Sequence, residues 1–315
     1  MQPQTRRPNT LAVHSVDRFV FSVPNLDEAR RFYTAFGLDV QRSGAIVQLR
    51  TFGDDHVWAD IIAGGPKKRL EYLRFGIYAK DEAPFAAHVE RAGLNRAAHP
   101  LGNAGGLWLT GHDGLALQLV VAPKVSPSMK SPPVIGTQAG NQGAAPSRSK
   151  TPRVHPRQLS HILCFATDVP AAAKLYGEVL GLRLSDHSGP GIAFMHGAHG
   201  SDHHLLALAH ADGPGLHHSS WDVGSVNEVG AGAEFMKLQG YDRGWGVGRH
   251  VLGSNYFYYV RDPWGSYCEY SFDIDFIPAD MDWPAQDHPP EDSLYVWGPA
   301  LPEEFVVNYE ATPAA

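Results

Sequence analysis

The chain has 315 residues, 43% hydrophobic and 19% charged, a globular balance long enough for two full cores and unlike a disordered or fibrous chain. A formal charge of -7 without clustered Lys and Arg argues against a nucleic-acid surface and for a small-molecule partner. No run approaches the roughly 20 apolar residues of a membrane span, no signal-peptide core follows Arg6 and Arg7, and Cys164 and Cys268 form no disulfide or zinc pattern, which suits a reducing cytoplasm.

Residues 1–14 are polar, carry two prolines and read as a flexible arm. A first unit, 15–123, opens with a strand-like run at 16–23 and a helix at 26–36. Leu26, Ala29, Phe32, Tyr33 and Phe36 fall on one helical face, and Asn25 with Glu28 three residues on makes a capping-box-like start. Short strand-like runs follow at 38–42, 46–51 and 57–62. The order then repeats, with a strand at 72–78, a helix at 82–92 stopped by Gly93, and strands ending at 118–121. Residues 124–157 turn to Pro, Ser, Gly and Lys and read as a linker, too poor in apolar surface to offset its ordering entropy. The alternative is a segment extended over the first domain.

The first pattern returns in residues 158–275. A strand at 159–167 leads to a helix at 169–180 with Asp168 as cap and Pro170 in its first turn. A strand at 216–223, a helix at 226–239 capped by Ser225, and the segment GRHVLGSNYFYYVRDPWGSYCE from Gly248 to Glu269 complete it. Aligned on Tyr33 and Tyr176, both halves run into Gly-Leu. The chain therefore reads as four copies of one βαβββ unit, two per domain, in the α+β class. Residues 276–315 are Pro- and aromatic-rich without clear periodicity, a tail that covers a site mouth or packs on another subunit.

A repeat is its own control, because a structural residue should recur and a functional one need not. His161 faces Arg18, His218 faces the histidine-free stretch 72–75, and Glu269 faces Gln118. Strand alternation sends only one of His217 and His218 inward. Glu269, flanked by Tyr267, Cys268, Tyr270 and Phe272, needs a counter-charge, since a lone carboxylate is rarely buried without a partner or a cation. A strand histidine is often an ordinary hydrogen-bonded core residue, and Arg249 or Arg261 could pair with Glu269. Two imidazoles and one carboxylate on the opening and closing strands of repeated units nevertheless match the facial triad of non-haem Fe(II) oxygenases.

The run Gly248-x-His250, Tyr259, Asp262-Pro263-x-Gly265 and Glu269 resembles the signature of the type I extradiol ring-cleaving dioxygenases of the vicinal oxygen chelate superfamily. The likeness spans nearly the whole chain as paired βαβββ modules. It implies open mixed β-barrels, an N-terminal domain without a metal site and a catalytic C-terminal domain. It implies His161, His218 and Glu269 as metal ligands, His204 rather than His203 as the histidine beside the oxygen site, and His250 and Tyr259 as partners of the substrate hydroxyl. Fe(II) is the implied metal, with Mn(II) acceptable to the same ligands. The implied partners are a substituted catechol or trihydroxybenzene and O2, giving a hydroxymuconic semialdehyde-type product in aromatic compound degradation, and the expected assembly is a homo-oligomer. Two positions depart from the pattern. Tyr258 stands where an aliphatic residue or Phe is usual, and Gly253 stands where some members carry an Asp, which removes that carboxylate from any proton relay.

Trp221, Met195, Phe257 and Trp245, with Trp283, Tyr295 and Trp297 of the tail, are candidate pocket walls. Two rival classes use the same modules: a non-redox metal-dependent isomerase or transferase, which has no need of His204, His250 and Tyr259, and a metal-free binding protein, which would lack the triad.

Overall fold

The computed structural model describes residues 6–136, 141 and 143–311. The N-terminal half contains β1 (Ser15–Val23), α1 (Leu26–Phe36), β2 (Asp39–Ser43), β3 (Ile46–Arg50), β4 (Ala59–Ala63), β5 (Arg69–Ile77), α2 (Glu82–Arg91), β6 (Leu107–Thr110) and β7 (Ala116–Val121). These strands make a seven-stranded mixed sheet in the order β2-β3-β4-β1-β5-β7-β6. The parallel pairs β1/β4 and β5/β7 close each module, and antiparallel β1/β5 joins the two modules.

The C-terminal half repeats this plan with β8 (Gln158–Ala166), α3 (Val169–Leu180), β9 (Leu182–Ser188), β10 (Ile192–Gly197), β11 (Ser201–Asp202), β12 (Leu206–His210), β13 (Gly215–Asp222), α4 (Val226–Leu238), β14 (Gly244–His250), β15 (Tyr256–Arg261) and β16 (Tyr267–Phe272). The final segment adds β17 (Phe276–Ile277), β18 (Gln286–Asp287), α5 (Pro290–Ser293) and β19 (Tyr295–Trp297). The order β9-β10-β12-β8-β13-β16-β15 reproduces the N-terminal sheet, with β18 added at one edge and β14 and β19 at the other. The mixed sheets with few helices establish the α+β class.

The helices start where local chemistry dictates. Asn25 accepts the amides of Asp27 and Glu28, Asp168 accepts that of Ala171, and Ser225 accepts that of Glu228, each satisfying orphan donors of a first turn. The Gly-Leu pairs end α1 and α3 at Gly37 and Gly181, both with left-handed φ. A Cβ at Gly37 would sit 2.1 Å from the Val154 carbonyl oxygen, and one at Gly181 would sit 2.4 Å from that of Leu11. Each half thus lays the segment before its own first strand on the helix end of the other.

This corrects the expectation of a flexible arm, as far as the described residues of that stretch go. Ala12, Val13 and His14 are fully buried, the Val13 amide donates to the Leu180 carbonyl, and Arg6 and Arg7 pair with Asp81 and Asp282. Residues 1–5 and 312–315 lie outside the described residues, as do 137–140 and 142 of the expected linker. The rest of that segment is irregular apart from one short turn of 3-10 helix at Arg148–Lys150, and it buries Ser126 and Val154.

One apolar core runs through both halves. Phe36 of α1 stacks on Tyr270 of β16 with ring centroids 4.0 Å apart, and the Tyr270 hydroxyl donates to the Phe36 carbonyl at 2.7 Å. A buried ion pair, Lys68 to Asp262, ties the N-terminal half to the Asp-Pro-Trp-Gly turn that precedes β16.

Candidate metal centre and substrate cavity

His161, His218 and Glu269 sit on adjacent strands β8, β13 and β16. Ser220 is the register partner of both His161 and Glu269, and His218 lies two residues before it. Two residues is one strand period, so the three side chains leave one face of the sheet together. His161 Nε2 and His218 Nε2 are 3.2 Å apart, and Glu269 Oε2 lies 3.4 Å and 3.6 Å from them. All three residues are buried, Glu269 completely.

The outer atoms of this trio are engaged. His161 Nδ1 lies 3.3 Å from the Ser160 hydroxyl, which donates to Asp202 at 2.8 Å. His218 Nδ1 faces His217 Nδ1 at 2.6 Å, and Asn255 Nδ2 donates to Glu269 Oε1 at 2.9 Å. The inner oxygen, Glu269 Oε2, is buried without a hydrogen-bond partner. A buried carboxylate oxygen facing two imidazole nitrogens is costly unless a cation lies between them. Donor atoms about 3 Å apart also suit neighbouring positions around a metal with bonds near 2.1 Å. The residues therefore fit a divalent metal ion.

The electrostatics agree with neutral imidazoles around an ionised carboxylate. Burial pushes the His218 ring well below its usual value, with His217 and His161 adding to the effect, and burial lowers His204 likewise. Burial alone would raise the Glu269 carboxyl, but the neighbouring His161 and His250, with Ser220, bring it below the usual carboxylate range.

The other expected residues converge on the same place. The His204 ring lies 3.9 Å from the His161 ring, whereas His203 turns away to Asp186 at 2.9 Å. On the opposite side Tyr259 and His250 share a hydrogen bond of 2.9 Å, and His250 Nδ1 meets the Leu294 carbonyl at 2.8 Å. A carbonyl only accepts, so His250 carries its proton on Nδ1 and takes the Tyr259 hydroxyl proton's hydrogen bond at Nε2. Burial, then the charge of Glu269, lifts the Tyr259 phenol well above its usual 10.

All six residues line one cavity of about 480 Å³. Its remaining walls are largely apolar, with Leu163, Phe165, Ile192, Phe194, Leu301 and Phe305, and among the described residues no Lys or Arg lines it. Of the aromatic and Met wall candidates only Trp245 reaches the cavity. Trp221 and Met195 are packed in the main core, Phe257 stacks on His250 behind the wall, Trp283 donates to Asp186, Tyr295 packs on Trp245, and Trp297 is half exposed on β19. The C-terminal segment supplies Pro290, Ser293 and Leu294 besides Leu301 and Phe305, so part of the cavity wall comes from it. Sequence reasoning missed Asn255, whose only signal is its place at the head of the aromatic run, and also missed Asp186.

Residues 158–270 match the Glyoxalase/Bleomycin resistance protein/Dioxygenase superfamily. Metapyrocatechase 2 of Cupriavidus necator is 49% identical over 301 residues, covering 95% of this chain and 93% of that protein. Among solved structures, an extradiol ring-cleaving dioxygenase from B. fuscum superposes with a TM-score of 0.74 at 20% identity, over 96% of this chain and 85% of that one. The Mn(II)-bound glyoxalase from Novosphingobium aromaticivorans superposes with a TM-score of 0.73 at 23% identity, over 93% and 94%. Structural likeness at that identity speaks to the fold alone. Fold and site together define a metal-binding enzyme of this superfamily. Within it the chain belongs to the extradiol catechol dioxygenases, the family of metapyrocatechase.

Proposed function

We propose that residues 158–275 form the catalytic half, in which His161, His218 and Glu269 hold Fe(II), and that residues 15–123 are a structural partner without a metal site. The reaction is extradiol cleavage of a substituted catechol or trihydroxybenzene, in which both atoms of O2 enter the ring-opened hydroxymuconic semialdehyde-type product. The observation that carries this reading is the unpartnered, fully buried Glu269 Oε2 facing two imidazole nitrogens in a chain 49% identical to a metapyrocatechase. When bound, the metal supplies Lewis acidity toward the catechol hydroxyls and a route for electrons from the ring to dioxygen. Mn(II) accepts the same donor set, and redox chemistry with O2 favours iron as the resident ion.

The chain's own residues do the rest. The Tyr259 oxygen is free to accept a substrate hydroxyl while its own proton points to His250 Nε2, so a substrate proton can be taken up by the pair. His204, neutral in its buried setting and on the opposite side of the trio, is placed to hold a proton near the oxygen site and return it during ring opening. The apolar walls exclude water and hold the ring flat in reacting geometry. With no Lys or Arg among the described residues that line the cavity, uncharged substituents are favoured over carboxylated ones.

Oxygen uptake by anaerobically Fe(II)-loaded or Mn(II)-loaded protein with a panel of catechols, followed by the yellow product, tests this reading. Uptake lost in His218→Ala and Glu269→Gln supports it; no uptake with any catechol despite one bound metal per chain overturns it. A homo-oligomer is part of the same reading, supported by exposed Val296, Trp297, Val306 and Val307 on the C-terminal segment. A monomeric mass by light scattering would overturn that part. Two buried free cysteines fit a reducing cytoplasm.

A further inference from the structure

We propose that His217 is the positioning residue that fixes the tautomer and ring orientation of His218, and that the Phe305 carbonyl of the C-terminal segment sets this choice. The inference rests on the reading of His218 as a metal ligand. His217 lines the cavity together with His218, against the expectation that alternation turns one of them away, because β13 bulges between Leu216 and His218. It is buried between Phe165, Tyr267 and Phe305, where an aliphatic or aromatic side chain would pack without any polar atom to satisfy. Its two nitrogens are instead both engaged. His217 Nε2 is 2.7 Å from the Phe305 carbonyl oxygen, and His217 Nδ1 is 2.6 Å from His218 Nδ1.

The proton positions follow in order. A carbonyl oxygen has no proton to give, so His217 Nε2 is the donor. A neutral imidazole carries one such proton, and a second would place a charge in an apolar wall, so His217 Nδ1 presents a lone pair. Two lone pairs cannot face each other at 2.6 Å, so His218 Nδ1 carries its proton. His218 Nε2 is then left with a lone pair, aimed at His161 and Glu269, which is the form a metal requires. Reversing the chain at any link would put a proton on Nε2 and block coordination. A histidine ligand commonly donates its outer N–H to a carbonyl or carboxylate directly. Here the acceptor is a second histidine, and the anchoring carbonyl belongs to a segment 88 positions further along the chain.

The same logic holds across the cavity, where the Leu294 carbonyl fixes His250. His217 is the more consequential case, because it acts on an atom of the trio itself.

Mn(II) binding, read by chelator competition, tests the proposal on the full chain. His217→Leu should weaken Mn(II) by roughly 10–100-fold, the range seen on loss of such outer partners. His217→Asn, whose Oδ1 can take the place of the Nδ1 lone pair, should recover affinity to within a few-fold. Affinity unchanged in His217→Leu would overturn the proposal. Mn(II) bound equally by the parent and by Glu269→Gln would instead overturn the metal-site reading, so the two failures are distinct. Should His217→Leu not fold, the metal-free parent labelled with 15N in its histidines reads the tautomers directly. A proton on His218 Nδ1 and on His217 Nε2 is expected, and a proton on His218 Nε2 would sink the idea.

Discussion

Asn255 is the smallest part of the site with a separable job. Its amide donates to Glu269 Oε1 at 2.9 Å and to the Ser271 hydroxyl at 2.9 Å, so it holds the outer oxygen of the carboxylate and leaves the inner one facing the two histidines. Removing one partner of a buried charged hydrogen bond costs more than the bond itself, because the carboxylate oxygen is left unsatisfied. Asn255→Leu is therefore expected to weaken metal binding about 10-fold or more while the six residues around the cavity remain in place. Mn(II) competition measures this, and an unchanged affinity would mean that the strand alone fixes Glu269. The trio itself was legible because its members break an internal repeat: Arg18, Tyr72 and Gln118 occupy the equivalent strand positions of the N-terminal sheet. Asn255 was not legible, since side-chain contacts across 14 and 16 residues leave no periodic trace.

The C-terminal segment acts as an element although it has almost no regular structure. Besides the carbonyls of Leu294 and Phe305, it offers Trp283, Gln286 and His288 to the buried carboxylate of Asp186 on β9, which also accepts His203 Nε2. Burial would raise the Asp186 carboxyl, and hydrogen bonds from His203, Gln286 and His288 bring it below the usual range instead. One carboxylate therefore fastens the segment to the sheet and braces the histidine next to His204. Asp186→Ala should lower kcat about 10-fold and loosen residues 286–294, which hydrogen exchange by mass spectrometry would register as lost protection. Unchanged protection would show that Leu301 and Phe305 are anchor enough. Strands and helices were readable because apolar spacing fixes them, and the capped helices begin where Asn25, Asp168 and Ser225 predict. This segment was not, because it is held by backbone carbonyls and single polar contacts that composition does not encode. The same blindness explains the arm, which is held by the Val13 amide on the Leu180 carbonyl and by Arg6 and Arg7 on Asp81 and Asp282 rather than by any pattern of its own.

At the scale of the whole molecule, burial of titratable groups sets the response to acid. His14, His196 and His199 are pushed down from 6.5 to about 4, burial being the main cause in each, and the buried rings of His204, His217 and His218 are lowered as well. For a group whose folded pKa is depressed, the unfolded chain takes up the proton first. As pH falls from about 6.5 toward 4, these histidines therefore shift the balance toward unfolding. Asp202 and Glu310 act in the opposite sense. Burial raises both to about 7, so their contribution is full below their ordinary values near 4 and is lost as pH rises through 7. The window between about 4 and 6.5 is shared, and the histidines outnumber the carboxyls in it, so acid should destabilise the fold on balance. Calorimetry of the metal-free protein removes the separate competition between protons and metal for the ligands. Tm is expected to fall by about 5 °C or more between pH 7 and pH 5. A Tm that holds steady or rises over that interval would mean that Asp202 and Glu310 dominate and that the buried histidines are neutral at little cost.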